Sequence, residues 1–83
     1  MKLESTLAKQ FDVEISTKTE EGTILTVLEV YEKDNDCEFM FSLTTADDVS
    51  YTVGNVYSTL EHGTVLTEKE LKVLLKNKSI KAL

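Results

Sequence analysis

The chain has 83 residues, enough for one hydrophobic core and too few for two ordinary domains. Fifteen acidic residues, nine lysines and no arginine give a net charge of −6. This composition argues against direct binding to nucleic acid or to an anionic membrane, because both need a cationic protein surface. The single cysteine, Cys37, excludes an intramolecular disulfide. We therefore expect residues 1–83 to form one cytoplasmic domain.

The N-terminal segment changes its hydrophobic period at Phe11. Leu3, Leu7 and Phe11 are spaced four residues apart, which predicts a short helix ending near Gln10 or Phe11. From Phe11 onward apolar and polar residues alternate, which predicts a strand with one face on the core. Glu20-Glu21-Gly22 then predicts a hairpin turn, because glycine adopts positive φ without strain.

The segment Thr23 to Glu32 is the most strand-like part of the chain. Apolar residues line both of its faces, with Ile24, Leu28 and Val30 on one and Leu25, Val27 and Tyr31 on the other. This predicts a central strand. Its second apolar face must be covered by the terminal helices or by a second copy of the protein.

A third strand is predicted after the turn at residues 33–36. Its one-sided alternation predicts a buried thiol at Cys37, with Met40 on the opposite face. The residues of that apolar face are Cys37, Phe39, Phe41 and Leu43.

The C-terminal third predicts one short strand and one or two helices. The strand surrounds Tyr51 and Val53 and closes at Gly54-Asn55, and one or two helical turns follow from Val56 to Gly63. Thr67 with Glu70 forms a capping box for a helix from Glu68 to Asn77. The predicted fold is α+β: a three- to four-stranded antiparallel meander, with a short N-terminal helix and one or two C-terminal helices on one face.

The sequence carries no recognisable catalytic, cofactor or metal motif. Spacing alone leaves a nucleophile and base pair of Cys37 with His62 open, but the phase of Cys37 with Phe39 and Phe41 favours a buried structural thiol. We expect His62 to face solvent at a helix end. Asp34, Asp36 and Glu38 alternate like calcium ligands, but the glycine and the glutamate of an EF-hand loop are missing. The paired acids Asp12 and Glu14 are expected to be a solubilising face. We predict that the protein is not an enzyme and holds no cofactor.

A cluster of acids carries the functional prediction. It indicates a small regulator or inhibitor that binds a larger cytoplasmic protein, and an acidic surface of this kind can imitate nucleic acid toward a nucleic-acid-processing enzyme. Small size and the use of lysine in place of arginine suggest a phage or mobile-element origin. Tyr31 and Met40 are the expected apolar anchors. The acidic residues of the predicted contact surface are Glu29, Glu32, Asp34, Asp36, Glu38, Asp47 and Asp48.

Two alternatives remain open at this level. In the first, the protein is a structural homodimer in which Leu25, Val27, Tyr31 and Met40 pack against their symmetry mates. In the second, it is an accessory subunit of an enzyme complex, with Cys37 or the paired acids completing a site on another chain.

Overall fold

The computed structural model describes residues 2–34 and 37–81. These residues form two helices and five strands. In chain order the elements are α1 (Lys2–Leu7), β1 (Phe11–Glu20), β2 (Thr23–Glu32), β3 (Phe39–Thr45), β4 (Ser50–Val56), β5 (Val65–Thr67) and α2 (Glu68–Lys76). The α+β class and the meander are therefore confirmed, but the sheet has five strands where three or four were predicted.

The sheet is an antiparallel meander in the order β1-β2-β3-β4-β5. The β1–β2 hairpin has an unbroken register of ten residue pairs, from Phe11 opposite Glu32 to Glu20 opposite Thr23. Its two-residue turn has positive φ at both Glu21 and Gly22, the conformation that matches the twist of the flanking strands. The predicted turn and the bounds of β2 are confirmed.

One face of the sheet and both helices form the hydrophobic core. The helices contribute Leu3 and Leu7 from α1 and Leu71 and Leu75 from α2, all buried. Burial of apolar side chains of this size is the main driving force for folding. The buried sheet residues of the same cluster are Phe11, Leu28, Val30, Met40, Phe41, Leu43, Tyr51 and Val53.

The C-terminal helix begins at Glu68 as predicted and ends at Lys76, with Asn77, the predicted last residue, as its C-cap. Thr67 accepts a hydrogen bond from the backbone N–H of Glu70 at 3.2 Å, and the Glu70 carboxylate accepts from the backbone N–H of Thr67 at 2.9 Å. This reciprocal capping box satisfies two N–H groups that the first helical turn leaves free. Beyond the helix, Ile80 is buried and Lys81 pairs with Thr59 through backbone and side-chain hydrogen bonds.

Two β-bulges interrupt the predicted alternation of side chains in the middle of the sheet. Tyr31 pairs with Phe39 and Val30 pairs with Phe41, so Met40 is an additional residue and its side chain is buried in the core. The prediction that Met40 lies on the opposite face is wrong, because a bulge shifts the side-chain phase by one position.

The second bulge lengthens β4. Phe41 pairs with Val56 while Leu43 pairs with Val53, so the strand continues through Gly54-Asn55 where we predicted its end. The helical turns predicted from Val56 to Gly63 are absent. Val56 is the last residue of β4, and residues 57–64 connect it to β5. Near the end of this connection the Gly63 N–H donates to the Val53 carbonyl and the Val53 N–H donates to the Thr64 carbonyl, and β5 then adds to the sheet.

Candidate functional site

The two helices pack against one face of the sheet and leave the opposite face without a helix over it. We call it the open face. Side chains on it alternate with the core residues of the same strands, as strand geometry requires. On β1, β2 and β3 it consists of Asp12, Glu14, Ser16, Lys18, Leu25, Val27, Glu29, Tyr31, Phe39, Ser42 and Thr44.

A row of three aromatic rings crosses one end of the open face. The ring centroids of Tyr31 and Phe39 are 5.6 Å apart, and those of Phe39 and Tyr57 are 6.1 Å apart, with both pairs edge to face. Tyr57 is 67% exposed although it is a large aromatic residue. With Glu29 and Asn55, these rings line a surface depression of about 600 Å³. The row therefore offers ring faces and a carboxylate to a ligand.

Two carboxylates lie directly opposite each other beside this row. Glu14 of β1 pairs with Glu29 of β2, and the next pair on the same face is Asp12 with Tyr31. The Tyr31 hydroxyl donates to Glu29 Oε2 over 3.5 Å. Desolvation, followed by the charges of Glu29 and Glu14, raises the pKa of Tyr31. This end of the open face therefore combines negative charge with partly exposed aromatic rings, which suits an ammonium or guanidinium group.

The nearest lysine on the open face does not neutralise this pair. Lys18 is four residues along β1 from Glu14, a distance of about 13 Å at the rise of a strand. Its ammonium group lies 3.2 Å from Glu20 Oε2 instead, in an exposed ion pair.

A second depression of about 480 Å³ continues the open face toward His62. The Ser42 hydroxyl accepts a hydrogen bond from the backbone N–H of Asn55 at 3.0 Å. The Gly54 carbonyl lies 2.7 Å from Nδ1 of His62, so that nitrogen donates. These contacts hold the bulge of β4 and the loop after it, which gives both polar side chains a structural role. His62 is exposed as predicted, but it lies in a loop and not at a helix end.

The predicted acidic contact surface is divided between opposite ends of the sheet. Asp34 and Glu38 are exposed at the β2–β3 end, whereas Asp47 and Asp48 follow β3 at its other end. A strand of the length of β3 places these two groups about 20 Å apart. Asp36 lies outside the described residues.

The remaining predicted contact residues also separate. Glu32 lies beside a smaller depression of about 230 Å³ that Gln10 and Lys33 also line. Tyr31, the predicted apolar anchor, and Glu29, a predicted acid of the contact surface, both lie partly exposed on the open face. Met40 is 2% exposed and cannot act as a surface anchor.

Asp47 and Asp48 organise the loop between β3 and β4. Asp47 Oδ1 accepts from the backbone N–H groups of Val49 and Ser50 at 2.9 and 3.1 Å. These hydrogen bonds stabilise the carboxylate and lower the pKa of Asp47. Asp48 has φ of 61° and accepts a hydrogen bond from the buried Tyr51 hydroxyl. Burial, and then the Asp48 carboxylate, raise the pKa of Tyr51.

Cys37 is exposed, which contradicts the predicted buried thiol. The residue precedes β3 with φ of 55°, so it does not continue the alternation of Phe39 and Phe41. Its Sγ lies 3.8 Å from Oδ2 of Asp12. The local pattern failed here because the turn ends two residues later than the hydrophobic spacing indicates.

Three members of the site could not be identified from the sequence. Tyr57 was assigned to a helical turn, Phe39 to the core, and Glu14 to a solubilising face. Alternation from Phe11 does place Asp12 and Glu14 together on one face, but the pairing of Asp12 with Tyr31 and of Glu14 with Glu29 depends on the strand register.

Within residues 2–34 and 37–81 no group of His, Cys, Asp and Glu side chains is arranged to hold a metal ion. In the same ranges, neither helix has the length and apolar character needed to cross a membrane. Comparisons of the chain with known protein families, curated proteins and solved structures found no match.

Proposed function

We propose that this chain is a non-catalytic protein-binding module that binds a basic segment of a partner protein on its open face. The observation that carries the proposal is the pairing of Glu14 with Glu29 beside the exposed aromatic row of Tyr31, Phe39 and Tyr57. A regulator or inhibitor of a larger protein would act in this way. Nucleic-acid-processing proteins are one source of such partners, because their own surfaces are basic.

The Glu14–Glu29 pair costs stability in the free protein. Like charges directly opposite on neighbouring strands are destabilising, by roughly 0.2–1 kcal/mol. A lysine or arginine of a partner placed between the two carboxylates converts this repulsion into two attractive contacts. The adjacent rings add cation–π attraction and apolar contact with the stem of the same side chain.

A homodimer packed face to face is the second candidate. Leu25 and Val27 are only partly buried on the open face, so a second copy could cover them. The same packing would bring the Glu14–Glu29 pairs of two chains of net charge −6 toward each other. Electrostatic repulsion therefore favours the basic partner over a second copy.

The proposal is tested by titrating the protein with a short peptide in which lysine alternates with serine. Glu14→Gln and Glu29→Gln should each weaken binding and, by relieving the repulsion, raise the free energy of unfolding by about 0.2–1 kcal/mol. The control is Glu21→Gln, which removes the same charge at the hairpin turn, about 23 Å from Glu14 along the strand.

Weakened binding at Glu14 and Glu29 with little change at Glu21 supports the proposal. Equal weakening by all three variants would show only a general attraction to net negative charge. That result, or no binding of the peptide at all, would refute the proposed site. A dimer that dissociates in the Leu25→Lys variant would favour the second candidate.

A further inference from the structure

The first strand is a long free edge of the sheet. β1 is ten residues long and pairs with β2 on one side, and within the described ranges no strand pairs with its other side. Every residue from Glu14 to Glu20 is exposed. An edge of this kind presents backbone N–H and C=O groups, on alternate residues, to another extended chain.

Two of the usual protections of an edge strand, proline and β-bulges, are absent from β1, although the strand does carry charged side chains such as Lys18. The chain contains no proline, and the β1–β2 register is free of bulges. The opposite edge, β5, is only three residues long and leads directly into α2, so it offers little length for pairing. The short β5 is thus poorly suited to strand addition, whereas β1 has the length and the unbroken register that an added strand needs, and its charges select which strand can pair with it.

The two faces of β1 define the side chains that an added strand needs. On the open face Asp12 and Glu14 would lie beside its residues, which calls for lysine or arginine. On the core face Val13 and Ile15 would lie beside the intervening residues. Ile15 is 43% exposed although it is in phase with the core, so an apolar neighbour would cover it.

We infer that the basic segment of the partner binds as an additional strand along β1, and that it alternates cationic with apolar residues. This inference rests on the proposed function, which already assigns a basic partner to the adjacent face. The backbone of the partner's segment pairs with β1, its cationic side chains contact Asp12 and Glu14, and its apolar side chains extend the core at Ile15.

A second copy of the chain fits this edge less well. Antiparallel self-pairing centred on Ile15 would place Asp12 opposite Lys18 of the other copy, but Glu14 would face Ser16 and gain no cation. Two chains of net charge −6 would also repel each other. A foreign cationic strand satisfies both acids.

The test compares peptides that differ either in the side chains of one strand face or in the methylation of the backbone. A peptide alternating lysine and valine should bind more tightly than the lysine and serine peptide, and Ile15→Thr should remove that advantage. Ile24→Thr is the matched control, because Ile24 is 69% exposed in the same hairpin but lies on β2.

Backbone methylation separates strand addition from general attraction. Methylating alternate amides of the lysine–valine peptide blocks one of its edges and preserves its charge, and the complementary set blocks the other edge. One set should weaken binding by at least about tenfold because several hydrogen bonds are lost, while the other set should bind nearly as the parent does.

Equal binding of the two methylated peptides overturns strand addition and leaves the proposed function standing. Absence of binding by every basic peptide overturns the proposed function and the inference with it. A free protein that is dimeric by light scattering, and monomeric after Lys18→Glu, overturns the inference in favour of self-pairing.

Discussion

A double-mutant cycle at Ser42 and Gly54 tests the packing beneath the open face. A Cβ atom added at Gly54 would lie 2.6 Å from the Ser42 hydroxyl oxygen and 3.9 Å from the Ser42 Cβ. The first distance is a clash and the second is ordinary contact. The hydroxyl cannot rotate away without losing its hydrogen bond to the backbone N–H of Asn55.

The cost of Gly54→Ala should therefore depend on what stands at residue 42. In the natural chain we expect a loss of about 1–3 kcal/mol, the usual cost of overpacking. Ser42→Ala alone should cost about 0.5–1.5 kcal/mol for the lost hydrogen bond. In the Ser42→Ala background the clash is gone. Because Gly54 lies outside the left-handed region, alanine there should then stabilise by about 0.4–1 kcal/mol.

The assay is urea unfolding of the four proteins of the cycle. The expected coupling energy is about 1.5–4 kcal/mol, a large share of the roughly 4–12 kcal/mol expected for a domain of this size. Gly22→Ala is the control, because its positive φ causes strain but no atom lies within 4 Å of the added Cβ. Its cost should be equal in both backgrounds. If the cost of Gly54→Ala is also equal in both, the clash is not what constrains this position.

Two further predictions concern the helix cap and the β3–β4 loop. Thr67→Ala should lower the free energy of unfolding by about 0.5–2 kcal/mol, and Thr67→Ser should lose much less because serine also accepts from the backbone N–H of Glu70. Equal losses for the two variants in thermal or urea unfolding would contradict the capping box. The pKa of Asp47 lies below its ordinary value of 3.8, so its contribution to stability is present above that pH and is lost as the pH falls through the lowered pKa. Asp47→Asn should therefore be less stable than the natural chain at about pH 6, and the difference should shrink by about pH 3 in urea unfolding; a difference that does not change with pH would refute the assignment.

Local sequence determined the elements whose signals lie within a few residues. The alternation after Phe11, the Glu21-Gly22 turn and the Thr67 cap each depend on neighbours in the chain, and each appears in the structure as predicted. The α+β class followed from the order of these elements.

Tertiary structure decided everything that depends on pairing between strands. A bulge places an extra residue of one strand opposite its partner, so the burial of Met40 and the extension of β4 through Gly54 depend on how two strands pair and cannot be read from either strand alone. The short β5 has too few residues for a periodic signal and exists because β4 provides an edge for it.

The candidate site could not be predicted from the sequence for the same reason. Glu14 and Glu29 are fifteen residues apart, and only the hairpin register places them opposite each other beside Tyr31. The acids of the predicted contact surface, by contrast, are divided, with Asp34 and Glu38 before β3 and Asp47 and Asp48 after it. A hydrophobic pattern specifies which face a side chain occupies, whereas the register specifies which side chains meet across the sheet, and that register belongs to the folded chain as a whole.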